Sequence, residues 1–196
     1  METQVIAATQ RKNVGKNDAK ALRRNGQVPA VIYGNAGESV PVIVNTRDLI
    51  TVYRGPLGKN TPITIDVDGG QAKETVISYR VDRNPLSLAI EHVDFLRVNT
   101  ETRVKLTVPL KLVGSAPGVK LGGMFMQHIS EMKIEVAPHL IPEFISVDLS
   151  TLGVNQSIKV RDLENPNYRI LSEMNQIIAA VTAKGKTEDE STPGKK

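Results

Sequence analysis

A chain of 196 residues, 40% hydrophobic and 23% charged, is long enough for one large or two small packed domains and ordinary in composition for a globular protein. Its 25 Lys and Arg exceed its 21 Asp and Glu for a formal charge of +4, aromatics make up 4%, and Cys and Trp are absent. Lack of Cys excludes disulfides, thiol nucleophiles and cysteine-held zinc and suits a reducing cytoplasm, while scarce rings argue against RNA readers that stack bases on exposed aromatics.

Residues 1–96 read as mixed β and short α. Glu2–Thr9 alternates as a first strand, and Val28–Tyr33 and Val40–Val44 are β-branched runs. Between them Asn17 is a candidate N-cap, and Ala19 to Arg24 are good helix formers. Gly26 suits the left-handed position after the helix and Pro29 stops its continuation. So short a helix must rely on packing through Ala21 and Leu22. A second helix is predicted over Arg47–Arg54, capped by Asn45 or Thr46, with Leu49, Ile50 and Tyr53 as its apolar stripe. Ile63–Val67, the Asp68-Gly69-Gly70 turn and Glu74–Tyr79 make a hairpin, and Leu86–Leu96 is the last strand of this half.

Residues 97–102 are short and polar, a linker. Beyond them seven strands are predicted: Val104–Val113, Gly123–Ile129, Lys133–Ala137, Phe144–Asp148, Ser157–Val160, Arg169–Leu171 and Ile177–Ala183. Residues 103–184 therefore read as a second, mostly β domain, and 185–196, without apolar anchors, as a disordered tail. Overall the chain is α+β and mainly β. No apolar run approaches the roughly 18 residues of a membrane helix, and METQVIAATQ lacks the basic and apolar regions of a secretory signal, so no membrane partner is expected.

Charge is focused near the start. Between Arg11 and Gly34, six basic residues (Arg11, Lys12, Lys16, Lys20, Arg23, Arg24) stand against one acid, Asp18. Such a cluster repels itself unless an anion neutralises it, and a phosphate backbone is the commonest such partner; the competing reading is a solvated basic loop. Ile90-Glu91-His92-Val93-Asp94-Phe95 places His92 and Asp94 on one face of a strand. Glu91 shares parity with Val93 and Phe95, which calls for a bulge or an edge position. Phosphate repels Asp94, so in an RNA interface it would accept from a base or a ribose hydroxyl while His92 donates. The pair would then add selectivity to bulk charge. Otherwise the two make a surface His–Asp pair. Tyr33, just before Gly34, stands at a rim near the basic segment or at the edge of the core. Gly122-Gly123 with Met124 and Met126 reads as a bulge and a core strand rather than a ligand pocket.

Enzyme signals are missing. His92, His128 and His139 lack metal-ligand spacing. Gly185-Lys186-Thr187 has Ala180 where a phosphate loop needs Gly, and the 114–118 turn has no central Ser. The Glu188-Asp189-Glu190 acids lie in the tail. No catalytic residue, metal, cofactor or small-molecule substrate is expected.

The motifs from Leu22-Arg23-Arg24-Asn25-Gly26 through Val28-Pro29-Ala30-Val31-Ile32-Tyr33-Gly34, followed by His92-Val93-Asp94-Phe95, resemble the bacterial large-subunit ribosomal protein family numbered twenty-five. The second half, with Gly114 to Gly118-Val119, Gly122-Gly123 and Ile141-Pro142-Glu143-Phe144-Ile145, resembles the extension of its long two-domain form, Ctc. The resemblance implies an N-terminal β-barrel that binds 5S rRNA and a mostly β extension. It also implies a cytoplasmic, ribosome-bound location. It carries RNA-contact roles onto Arg11, Arg24, Tyr33, His92 and Asp94, with Lys16, Lys20 and Arg23 as phosphate partners. The C-terminal domain would contact other large-subunit rRNA or ribosomal proteins. The rival expectation is a protein–protein interaction module, stress-linked, whose basic loop is incidental.

Overall fold

The computed structural model describes residues 4–12, 15–34, 37–69, 72–99, 102–163 and 167–183. The predicted tail, most of the 97–102 segment's centre and the Asn165-Pro166 turn residues lie outside them.

Six strands close into a barrel: β1 (Gln4–Gln10), β2 (Gln27–Gly34), β3 (Gly37–Asn45), β4 (Ile63–Val67), β5 (Ala72–Arg83) and β6 (Ile90–Arg97), in the order β1-β3-β2-β6-β5-β4. Two contacts are parallel, β1 with β4 and β2 with β6; the remaining pairs are antiparallel. Alternation does the sorting. Ile32, Val42, Ile63, Ile65, Val93 and Phe95 point inward and are fully buried, and in a chain without Trp, Phe95 is among the largest side chains of that core.

Helix α1 (Lys16–Arg24) falls where expected, but its N-cap is Gly15 rather than Asn17, with no side-chain cap. Arg11 and Asp18 brace this end instead: Arg11 donates to the Gly15 carbonyl at 3.2 Å and to Asp18 Oδ2 at 3.0 Å. Gly26, at φ 73°, ends the helix as expected. Ala21 is exposed and Leu22 half-buried, so α1 lies on the barrel as a shallow cover and sinks no residue into the core.

Helix α2 (Thr46–Tyr53) is capped by Asn45, whose side chain accepts from the Arg47 amide. Leu49 and Val52 are its buried residues, whereas Ile50 is 40% exposed, so the apolar stripe is rotated from the predicted one. Asp68 and Gly69 both take positive φ in the β4–β5 turn. Strand β5 runs on to Arg83, beyond the expected stop at Tyr79, and β6 starts at Ile90 rather than Leu86. The intervening loop is tied by Asn84, whose side chain accepts from the Leu86 and Ser87 amides and donates to Glu91. Strand β6 extends through Arg97, read as linker from sequence. That side chain is 13% exposed, pairs with Glu74 at 2.7 Å and donates to the Glu38 carbonyl at 2.9 Å.

All seven predicted strands of the second half are present: β7 (Val104–Val113), β8 (Met124–Gln127), β9 (Glu131–Val136), β10 (Ile145–Asp148), β11 (Gln156–Lys159), β12 (Arg169–Ile170) and β13 (Ile177–Thr182). A short helix, α3 (Pro117–Lys120), replaces part of the predicted 115–118 turn. Compactness divides the chain differently from the 97–102 segment. One unit holds residues 1–109, 133–144 and 165–171; the other holds 110–132, 145–164 and 172–196. Within the first, Asn60 is 3% exposed and donates to the Thr107 carbonyl at 3.0 Å, which binds the opening of β7 to the segment after α2. Within the second, β10 runs parallel to residues 110–113, and β11, β13 and β8 form an antiparallel sheet around Ile178 and Val181. Strand β8 is an edge of that sheet, and Met124 and Met126 are 58% and 46% exposed. They are surface residues, not the core expected from sequence, because they share the solvent face of β8, opposite the half-buried Phe125.

Candidate nucleic-acid interface

The candidate residues come together through strand register. Strand β6 lies between β2 and β5, so it is interior to the sheet rather than an edge. Val93 and Phe95 point inward, which turns His92 and Asp94 outward. Glu91 has no partner on β5, because the register shifts as Asp82 faces His92 and Arg83 faces Ile90. That bulge resolves the broken alternation: it absorbs Glu91 and keeps His92 and Asp94 together. His92 Nδ1 lies 3.0 Å from Asp94 Oδ1, with both side chains about 30% exposed.

Val31 pairs with Asp94 and Tyr33 with Leu96 on the parallel β2, so Tyr33 sits one pleat beyond the His–Asp pair. Burial, then the negative charge of Asp94 and the neighbouring Tyr79, raise the Tyr33 phenol above its ordinary value. At neutral pH it is therefore a firmly protonated donor. Gly34, at φ 102°, ends the strand; a Cβ there would lie 2.8 Å from a Leu96 methyl, so the backbone comes close to β6 only because no side chain intervenes.

Helix α1 leads directly into β2, and its last turn carries Arg23 and Arg24. Arg23 Nε donates to the Glu91 carbonyl at 2.9 Å, pinning the helix end to β6 at the bulge beside His92. The side chains of Lys16, Lys20 and Arg24 are exposed and make no ion pair or hydrogen bond among the described residues. With the exposed Lys12 and with Arg23, whose partner is a neutral carbonyl, they carry the uncompensated charge of the segment. Arg11 differs. It is 10% exposed and its guanidinium engages Asp18 through both Nε and an amino group, so in this structure it organises the loop and helix start.

Three residues of this face were not singled out from sequence. Arg80 pairs with Asp94 and Asp82 with His92 across β5, and Arg80 Nε donates to Asp82 Oδ1 at 2.7 Å. Tyr79, the extra residue at a second register shift, is 52% exposed. The hydrogen bond to Asp82, then its charge and that of Asp94, hold the Arg80 guanidinium more firmly protonated than usual. The signal was present: Arg80-Val81-Asp82 alternates polar, apolar, polar, as β5 continues past Tyr79.

The face thus offers exposed cations on α1, a phenol donor, an imidazole and two carboxylates in one patch. That set suits a polyanion with hydroxyl and amino edges. No group of three or more His, Asp or Glu is placed to hold a metal among the described residues. Polar groups gathered on the outside of a closed barrel form a surface suited to binding.

The sequence matches the Ribosomal L25p family over residues 6–95 and the family described as Ribosomal protein TL5, C-terminal domain, over residues 103–184. It is 38% identical to the large ribosomal subunit protein bL25 of Moorella thermoacetica, covering 99% of this chain and 96% of that protein. To the bL25 proteins of Geobacter sulfurreducens and Geotalea uraniireducens it is 37% and 35% identical, each covering 96% of this chain and 97% of the relative. The chain belongs to the ribosomal L25p family, in its long form with a TL5-type second half, and is a structural ribosomal protein of that family, not an enzyme.

Proposed function

We propose that the protein is a ribosome-bound, cytoplasmic component of the large subunit that binds 5S rRNA through the outer face of β2, β6 and β5 and the cationic face of α1. The first domain, 1–96, is the RNA-binding one, and 103–184 braces it against neighbouring rRNA or ribosomal proteins. The limits of the two family matches, 6–95 and 103–184, support this division.

The observation that carries the reading is the tether between Arg23 and the Glu91 carbonyl. It puts the most basic segment of the chain beside the His92–Asp94 pair on one surface. Lys16, Lys20, Arg23 and Arg24 would meet phosphates, which supply affinity without sequence information. Tyr33, His92 and Asp94 would meet ribose hydroxyls and base edges, since the shallow minor groove of A-form RNA is what side chains reach. Arg11 acts there by bracing the start of α1 through Gly15 and Asp18.

Binding of the full chain to 5S rRNA, titrated at several salt concentrations, tests this. With about four phosphates neutralised, log K should fall against log salt with a slope of about −3. Arg24→Ala should cost about 1–3 kcal/mol, and Asp94→Ala should reduce preference for 5S rRNA over an unrelated duplex. A flat salt response, or equal gains by Asp94→Ala on both RNAs, refutes the assignment.

A further inference from the structure

A second concentration of positive charge lies within the first compact unit, away from α1. A groove of about 390 Å³ is lined by Lys59, Arg80, Lys105 and Lys133, with Tyr79 and Leu106 among its walls, and no Asp or Glu lines it. Its floor is built rather than incidental: the buried Asn60 amide holds the Lys59 segment to β7 beside Lys105. Four cations line one concavity with no carboxylate among its walls, and the apolar wall atoms of Leu106 and Leu171 reduce the screening that water would provide. Such a surface gains most from an anion of extended shape. The Lys105 side chain is exposed and has no hydrogen bond or ion pair among the described residues. Arg80 uses only Nε on Asp82, which leaves its two amino groups as donors.

Arg80 also belongs to the face described above, where it stands opposite Asp94. One side chain therefore joins the two basic regions. We infer that the groove around Lys59, Arg80, Lys105 and Lys133 is a second phosphate track, which takes the sugar–phosphate backbone of the same RNA that crosses the β2–β6–β5 face. This inference rests on the function proposed above and extends the RNA footprint from the barrel onto β7 and β9. The recognition is of backbone charge and carries no sequence preference, because the groove is cationic and lacks acceptors placed for base edges.

The test uses the full chain and 5S rRNA, with hydroxyl-radical footprinting and salt-dependent titration of Lys105→Ala, Lys105→Glu, Arg24→Ala and the charge-matched control Lys120→Glu on the exposed α3. Lys105→Ala should lower the magnitude of the salt slope by about 1. Lys105→Glu should weaken binding at least tenfold at low salt and erase one block of protected riboses, while the block lost in Arg24→Ala persists. Lys120→Glu should stay within threefold of the parent. If Lys120→Glu weakens binding as much as Lys105→Glu, net charge explains the effect and the groove is no track. If Arg24→Ala weakens binding while Lys105→Glu leaves affinity and footprint unchanged, the groove inference is overturned and the first reading stands. Should Lys105→Glu instead release a ribosomal protein from large-subunit particles with RNA binding intact, the groove holds an acidic protein segment, which also overturns it. If neither Arg24→Ala nor Lys105→Glu changes RNA binding, the proposed function itself fails.

Discussion

The barrel and the β11-β13-β8 sheet are built from the same Val, Ile and Leu vocabulary, yet they present opposite surfaces. Closure gives every barrel strand two neighbours, which fixes register all round and leaves no open edge. Its outer positions on β2, β6 and β5 can therefore hold His92, Asp94, Tyr33 and Arg80 in fixed relation. The three-stranded sheet ends at β8, where Met124 and Met126 are exposed, and nearby Leu121 is 78% exposed. A closed sheet displays polar groups with defined geometry; an open one displays an adaptable apolar border.

Stability measurements break or sharpen that contrast. Phe95→Ala empties the centre of the barrel and should cost about 3–5 kcal/mol in urea unfolding; a cost below about 1 would mean that the barrel core is not the main source of stability. Gly118→Ala tests the other region. The new Cβ would lie 2.6 Å from the Gly153 carbonyl carbon, backbone that cannot step aside, for a loss of about 1–3 kcal/mol. Asn60→Ala strands the Thr107 carbonyl and should cost about 1–3 kcal/mol.

Tyr53→Phe removes the 2.8 Å bond to the buried Ser78 hydroxyl and should cost about 1 kcal/mol at neutral pH. The same phenol gives the barrel an alkaline signature. Burial raises it above its ordinary value, only partly countered by Ser78 and Arg83, so the folded state holds its proton more tightly than the unfolded chain. Its contribution is complete below about pH 10 and is lost as pH rises through the folded value. Urea midpoints from pH 8 to 11 should fall for the parent and fall less for Tyr53→Phe. Met126→Ser, on the open edge, should change stability by no more than about 0.5 kcal/mol; a larger loss would show that β8 is covered.

Much of this was legible in the chain. Seven strands of the second half, both barrel helices and the Gly26 stop follow from β-branched runs, caps and turn residues, which act locally. The basic segment and the His92–Asp94 pair are likewise visible as charge density and strand parity. Boundaries that depend on a partner strand were not. Strand β5 continues to Arg83 because β6 offers partners that far, and without that extension Arg80 and Asp82 have no place beside Asp94 and His92. The exposure of Ile50 and of Met126 had the same origin: an apolar residue is core or surface according to what packs on it.

Sequence by itself determined the elements, the class of fold and the inventory of charge, because propensity, alternation and capping are properties of neighbouring residues. Only the tertiary structure decided which charges share a face. The parallel contact of β2 with β6 and the bulge at Glu91 join groups some sixty residues apart in the chain. The structure also shows Arg11 occupied by Asp18 while Lys16, Lys20 and Arg24 stay exposed. Strand register is a choice among distant partners, and its energy exists only once the chain has closed on itself.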